Sequence, residues 1–216
     1  MPKVVDHVQR KRELVESTWR VIARRGLAGA TMRQIAEEAG YANGALKPYF
    51  HTKMDLLEAT FEHVYSSTEE RIRKSIEGLR GFEALRAMCL EVLPVTERLR
   101  DEARIVVSFW DSAAQDEKRA ALAAVSTNRW CEMIATMLKE AKEDGLLRSI
   151  ADIESTAELL VVFLQGSQIT AVMDPDGFNE ERILNQLEAY LDLLRLDSPA
   201  ADPSGLQAKR KIYAKR

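Results

Sequence analysis

Cysteine is scarce in this chain: Cys89 and Cys131 stand alone in 216 residues. Neither has a second cysteine or a histidine at metal-ligand spacing, so neither a disulfide framework nor a zinc site is indicated. Histidine is nearly as rare, and His7, His51 and His63 are scattered. There is no phosphate-cradling glycine loop, no metal pair and no nucleophile elbow. These absences argue against an enzyme and point to no cofactor and no metal. Long apolar runs are missing too. The opening MPKVVDHVQRKR lacks the apolar stretch of a signal peptide. The least polar segment, 159–173, carries Gln165, Ser167, Gln168 and Thr170 and is too short and too polar to span a bilayer. The expectations are cytoplasmic residence and no membrane partner. No β-alternation and no internal repeat stands out.

What is present is helical periodicity and an uneven charge. The chain is 46% hydrophobic and 30% charged, an ordinary soluble composition, and long enough for a substantial core. Its net charge of −3 conceals an asymmetry. Residues 1–53 hold 10 Lys/Arg against 5 Asp/Glu, residues 54–197 hold 16 against 28, and residues 198–216 hold 5 against 1. A basic head on an acidic body suits a protein that meets phosphate at one end. Apolar residues at spacings of three and four predict an all-α chain of about nine helices. In 6–25 the stripe is Val15, Trp19 and Ile22, and in 55–78 it includes Leu56, Leu57, Phe61 and Val64. Further helices are expected over 82–93, limited by Pro94, and over 96–112, 116–144, 152–173 and 178–196. The expected organisation is a basic head over 1–53, an acidic helical body over 54–197, and a basic, disordered tail over 198–216.

The chain is organised around residues 31–50, TMRQIAEEAGYANGALKPYF. Thr31 followed by Gln34 is a capping-box start. Ile35, Ala36 and Ala39 share one helical face, and Gly40 stands where the helix must stop. A second short helix is expected over 42–47, anchored by Leu46. Ala36, Ala39, Gly40 and Gly44 are small enough for a close, steep crossing. That is a helix-turn-helix, whose second helix can lie in the major groove of DNA.

From Thr31 to Lys53 the pattern T-M-R-x-I-A-x-x-A-G-Y-A-x-G-A-L-x-x-Y-F-x-x-K resembles the DNA-binding signature of TetR-family transcriptional repressors. The Gly-Ala-Leu-x-x-Tyr-Phe wording resembles the branch that includes choline-responsive, BetI-like repressors. The resemblance implies that Thr31 and Arg33 open the first motif helix beside the DNA backbone, with a base as the alternative partner of Arg33. It implies that Asn43, Gly44 and Lys47 project into the groove and that Tyr49 meets a phosphate or a base. Phe50 would pack in the core, and Lys53 would hold a phosphate at a helix N-terminus. Three positions depart from the pattern. Ala42 stands where many members have a capping serine, so Asn43 becomes the alternative cap. Lys47 stands where many have tyrosine. Pro48 disfavours helical geometry at Lys47 and should end the reading helix there.

The resemblance also implies a homodimer that spans double-stranded operator DNA, with reading helices about 34–36 Å apart. Its interface would come from the last two helices, through Leu160, Val161, Leu164, Gln168, Leu187, Tyr190, Leu191 and Leu194. A small-molecule effector would sit among Tyr65, Met88, Cys89, Phe109, Trp110, Trp130, Met133, Met137 and Phe163, with Asp111 and Glu132 available to favour a cation. The rival is a DNA-binding or protein-interaction protein that keeps the helix-turn-helix but has no ligand control.

Overall fold

A computed structural model describes residues 7–149 and 152–196, apart from the side chain of Asn43. The basic tail with Lys209, Arg210, Lys211, Lys215 and Arg216 lies outside the described residues. The elements are α1 (His7–Gly29), α2 (Met32–Glu38), a 3-10 turn (Asn43–Leu46), α3 (Lys53–Ser75), α4 (Gly81–Val92), α5 (Glu97–Ala113), α6 (Glu117–Glu143), α7 (Ile153–Met173) and α8 (Glu180–Leu194). The all-α expectation therefore holds, with one change: the reading helix is a four-residue 3-10 turn, so the α-helices number eight among the described residues. Ala42 supplies no side-chain cap to it, and without a cap so short a segment gains little from α-helical propagation. An isolated antiparallel bridge between Leu147 and Arg195 ties the end of α8 to the loop after α6.

Most helix starts are written in the sequence. Thr52, Thr96, Asp116, Asp152 and Asn179 each accept a backbone N–H from three residues on, satisfying one of the orphan donors of a first turn. At Gly81 the requirement is steric as well as conformational. Its φ is 55°, and a Cβ there would lie 3.3 Å from the Ala141 Cα, so glycine lets α4 begin directly against α6.

Two buried clusters form the core. One joins Leu14 and Ile22 of α1, Ile35 of α2, Leu46, Phe50, Leu56 and Phe61 to Ile105, Val106 and Phe109 of α5. It continues well past residue 53, so α3 and α5 are part of what holds the head together. The second joins α4, α6, α7 and α8 around Leu85, Met88, Leu138, Leu160, Leu164 and Leu187. The apolar segment expected to be too short for a bilayer belongs to the 21-residue α7. With a mean hydropathy of 1.3 in its most apolar window, α7 is long and apolar enough to cross one by length and composition. It packs instead against α5 and α6, where Leu160, Val161 and Leu164 are buried.

Candidate nucleic-acid interface and effector cavity

The capping box expected at α2 is formed. Gln34 N donates to Thr31 Oγ1 at 3.2 Å, and Thr31 N donates back to Gln34 Oε1 at 3.0 Å. Gly40 takes φ 73°, and Tyr41 N reaches back to Ala36 O at 2.8 Å, closing the turn. Tyr41 also donates its hydroxyl to Glu13, while the Arg10 guanidinium lies 4.7 Å from its ring centroid. The turn is thereby pinned to α1, a role for Tyr41, Glu13 and Arg10 that helical periodicity does not announce. Arg20 and Arg24 both donate to Glu38 and tie α1 to α2.

The presented face carries Thr31, Arg33, Gly44 and Lys47, all exposed. Arg33 Nε donates to Glu37 Oε1 at 2.8 Å across one exposed helical turn. A Cβ at Gly44 would meet no protein atom within 4 Å. Glycine is therefore not needed there for packing between the motif helices. Lys47 keeps helical angles, φ −52° and ψ −38°, despite the proline that follows, and it ends the 3-10 turn. Tyr49 is half-buried, with its ring 5.4 Å from that of His7. Phe50 is buried, with the Lys11 ammonium 5.6 Å from its ring. The capping role considered for Asn43 lies outside the described residues.

Lys53 is placed differently from expectation. Its ammonium donates to the Leu27 carbonyl at 3.0 Å and closes the end of α1 onto α3. The N-terminus of α3 is taken by Asp55, whose carboxylate accepts from Thr52 N and His51 N at 3.0 Å each. Those bonds, that from Thr52 foremost, hold its pKa below the usual carboxylate value. A phosphate at this helix start would meet a carboxylate.

Between α3, α4, α5, α6 and α7 lies a cavity of about 30 Å³. Tyr65, Trp110 and Trp130 line it. Met88, Cys89 and Met137 are buried in the second core cluster, Met133 and Phe163 pack against that cluster, and Phe109 lies in the first. They do not line the cavity. Burial pushes the Cys89 thiol up to about 12. Asp111 and Glu132 are exposed, and the carboxylates at the cavity are Glu91 and Glu102. Three of the lining residues, Phe61, Val64 and Val106, also belong to the core cluster of the head.

Comparison with known proteins decides what this architecture is. Residues 14–60 match the family of bacterial regulatory proteins of the tetR type, and residues 82–196 match the C-terminal region of BetI-type transcriptional repressors. The chain belongs to the TetR family. It is a transcriptional regulator with a helix-turn-helix DNA-binding segment, and its relatives are regulators, not enzymes. The regulator PksA of Bacillus subtilis is 33% identical over 89% of this chain and 93% of its own. The regulator BetI of Paraburkholderia phymatum is 27% identical over 93% and 100%. A regulator from Saccharomonospora viridis, solved in complex with choline, shares the fold with a TM-score of 0.82 at 22% identity, covering 89% of this chain and all of that one.

One surface of this TetR-family chain differs from expectation. Leu160, Val161, Leu164, Gln168, Leu187 and Leu191 are buried within the single chain, while Tyr190 and Leu194 are partly buried against the same cluster. The opposite side of α7 exposes Leu159 (61%), Val162 (62%), Ile169 and Met173 (79%), with exposed Gly166 completing the series. Leu193 of α8 and Leu196 just beyond it are exposed as well. The α7 residues recur at spacings of three and four, the seam pattern of paired helices. Hydropathy could not separate the two faces, because α7 is apolar on both.

Proposed function

We propose that the chain acts as a two-fold dimer that represses transcription by occupying a near-palindromic operator and lets go when a small molecule enters the cavity. In this reading Thr31, Arg33, Asn43, Gly44, Lys47 and Tyr49 meet the DNA. The head over 1–53 reads it, and the body over 54–197 pairs the copies and holds the effector. Cytoplasmic residence follows from a DNA partner. The exposed apolar face of α7, extended by Leu193 and Leu196, is the surface for the second copy, because an apolar patch of that regularity is seldom left to water.

The observation that carries effector control is the double membership of Phe61, Val64 and Val106, which line the cavity and also belong to the core of the head. A void of about 30 Å³ has room for only about two water molecules. An effector of metabolite size must therefore displace lining side chains, and where those are Phe61, Val64 and Val106 the displacement reaches the residues on which the head rests. A ligand that binds the displaced state better lowers operator affinity by the same factor, about 5–150-fold in typical allosteric systems. The tightness of the cavity equally favours the second reading, a regulator without ligand control.

The test begins by selecting bound duplexes from a random pool. A regulator of this kind enriches a short near-palindrome, and its affinity falls steeply with salt while sequence preference persists. Uniform binding to every duplex would overturn the operator reading. Unchanged operator affinity at saturating concentrations of compounds shown to bind the cavity, choline among those tried, would favour the second reading.

A further inference from the structure

Among the described residues, two buried side-chain atoms at the cavity have no hydrogen-bond partner: Trp130 Nε1 on α6 and Gln168 Oε1 on α7. Both residues line the cavity and are only 8% and 5% exposed. The Gln168 amide nitrogen donates to the Val92 carbonyl at 3.2 Å. Since that carbonyl can only accept, the amide oxygen is the end left over. The indole nitrogen can only donate. Two residues that line the cavity thus carry a donor and an acceptor, each buried and unmatched by protein, and leaving such groups unmade costs more than a formed bond gains.

The carboxylates at the same cavity suggest a cation, but their charge is already met. Arg71 Nε donates to Glu91 at 3.1 Å, and its two terminal nitrogens donate to Glu102 at 3.2 and 2.8 Å. Arg98 Nε adds a bond to Glu102 at 3.0 Å. Two guanidiniums face two carboxylates, and the cluster is neutral. Two of the aromatic rings are also engaged with each other: Tyr65 and Trp130 stack with centroids 5.7 Å apart. A quaternary ammonium needs open ring faces or an unpaired anion, and a charge entering here would be buried without a partner.

We propose that the cavity takes an uncharged small molecule with an apolar body and a neighbouring acceptor and donor, of the amide, lactam or hydroxyl-ketone class. Its acceptor meets Trp130 Nε1 and its donor meets Gln168 Oε1. This rests on the reading of the cavity as the effector site.

The test measures binding of size-matched probes to the full-length protein by calorimetry: valerolactam and benzamide as neutral donor–acceptor compounds, choline and benzyltrimethylammonium as cations, and toluene as a body without polar groups. The same titrations are run on Trp130→Phe and Gln168→Leu, with circular dichroism to follow folding. The amides should bind the wild type, and each substitution should weaken them about fivefold, the worth of one ordinary hydrogen bond, while leaving toluene unaffected. The wild-type series alone decides the charge class if a variant does not fold. Tighter binding of either cation than of the amides overturns the proposal. So does equal binding of the amides by folded variants, or no binding by any probe. If the amides bind with the expected losses but operator affinity does not change, the ligand class stands and the release reading fails.

Discussion

The Phe61 ring lies flat against the Phe109 ring, with centroids 3.9 Å apart and planes 10° from parallel. Phe61 belongs to α3 and faces the cavity, while Phe109 belongs to α5 and is fully buried. This contact joins the cavity wall to the core cluster of the head. Phe109→Ala should cost about 3–5 kcal/mol of stability, the usual cost of emptying a buried aromatic site, and denaturant unfolding measures it. Phe61→Leu keeps an apolar side chain of lower volume, so the fold should survive while the ring contact is lost. Operator affinity without ligand should then change little, and the ligand-induced drop should shrink. Full retention of that drop would show that the signal travels elsewhere.

Lys47 and Lys53 separate phosphate contact from architecture. Lys47 is exposed at the end of the 3-10 turn, whereas Lys53 is committed to the Leu27 carbonyl. For Lys47→Ala, the slope of log affinity against log salt should flatten by about 2 for the dimer, one lost phosphate contact from each copy. For Lys53→Met, the slope should hold while thermal stability drops. Binding isotherms at several salt concentrations test both, and a flattened slope in the second variant would assign Lys53 to DNA after all.

Acid should loosen the start of α3. The Asp55 carboxylate, bonded to the Thr52 and His51 amides, has its folded pKa below its ordinary value of 3.8. A depressed carboxylate contributes stability that is present above the unfolded pKa and is lost as pH falls through the folded one. Unfolding free energy should therefore decline below about pH 4, and Asp55→Asn should remove part of that decline. Thr52→Ala, which deletes the other half of the same capping box, should cost about 1 kcal/mol at neutral pH. An unchanged acid profile in Asp55→Asn would contradict this.

How much of this was legible in the sequence depends on how local the cause is. The box between Thr31 and Gln34 and the stop at Gly40 spell themselves out within ten residues, because capping and positive φ are decided by neighbours in the chain. The partner of Lys53 is 26 residues away, and nothing near Lys53 points to a carbonyl rather than a phosphate. Glu91 and Glu102 sit in amphipathic helices where a carboxylate is ordinarily solvated, and only the packing of α3 against α4 and α5 brings Arg71 between them. Met88 and Tyr65 give the same helical signal, yet one is core and the other cavity wall. Filled and empty space leave identical hydrophobic patterns.

The dimer prediction turns on that ambiguity in α7, where Leu164 and Val162 are two residues apart and face opposite ways. Leu164 is fully buried within the protomer, so Leu164→Ala should cost about 2–5 kcal/mol of stability without a specific effect on association. Val162 is exposed, so Val162→Asp should leave the protomer folded, because its carboxylate can stay in water. In a dimer built on this face it would bury two like charges beside Leu159 and Ile169, a severe cost when neither finds a partner. Sedimentation should then show a folded monomer, and affinity for a two-half-site operator should collapse towards that of a single half-site. A dimer persisting in Val162→Asp would place the pairing surface elsewhere. The exposed stripe would then need another occupant, since water is a poor neighbour for five apolar positions in register.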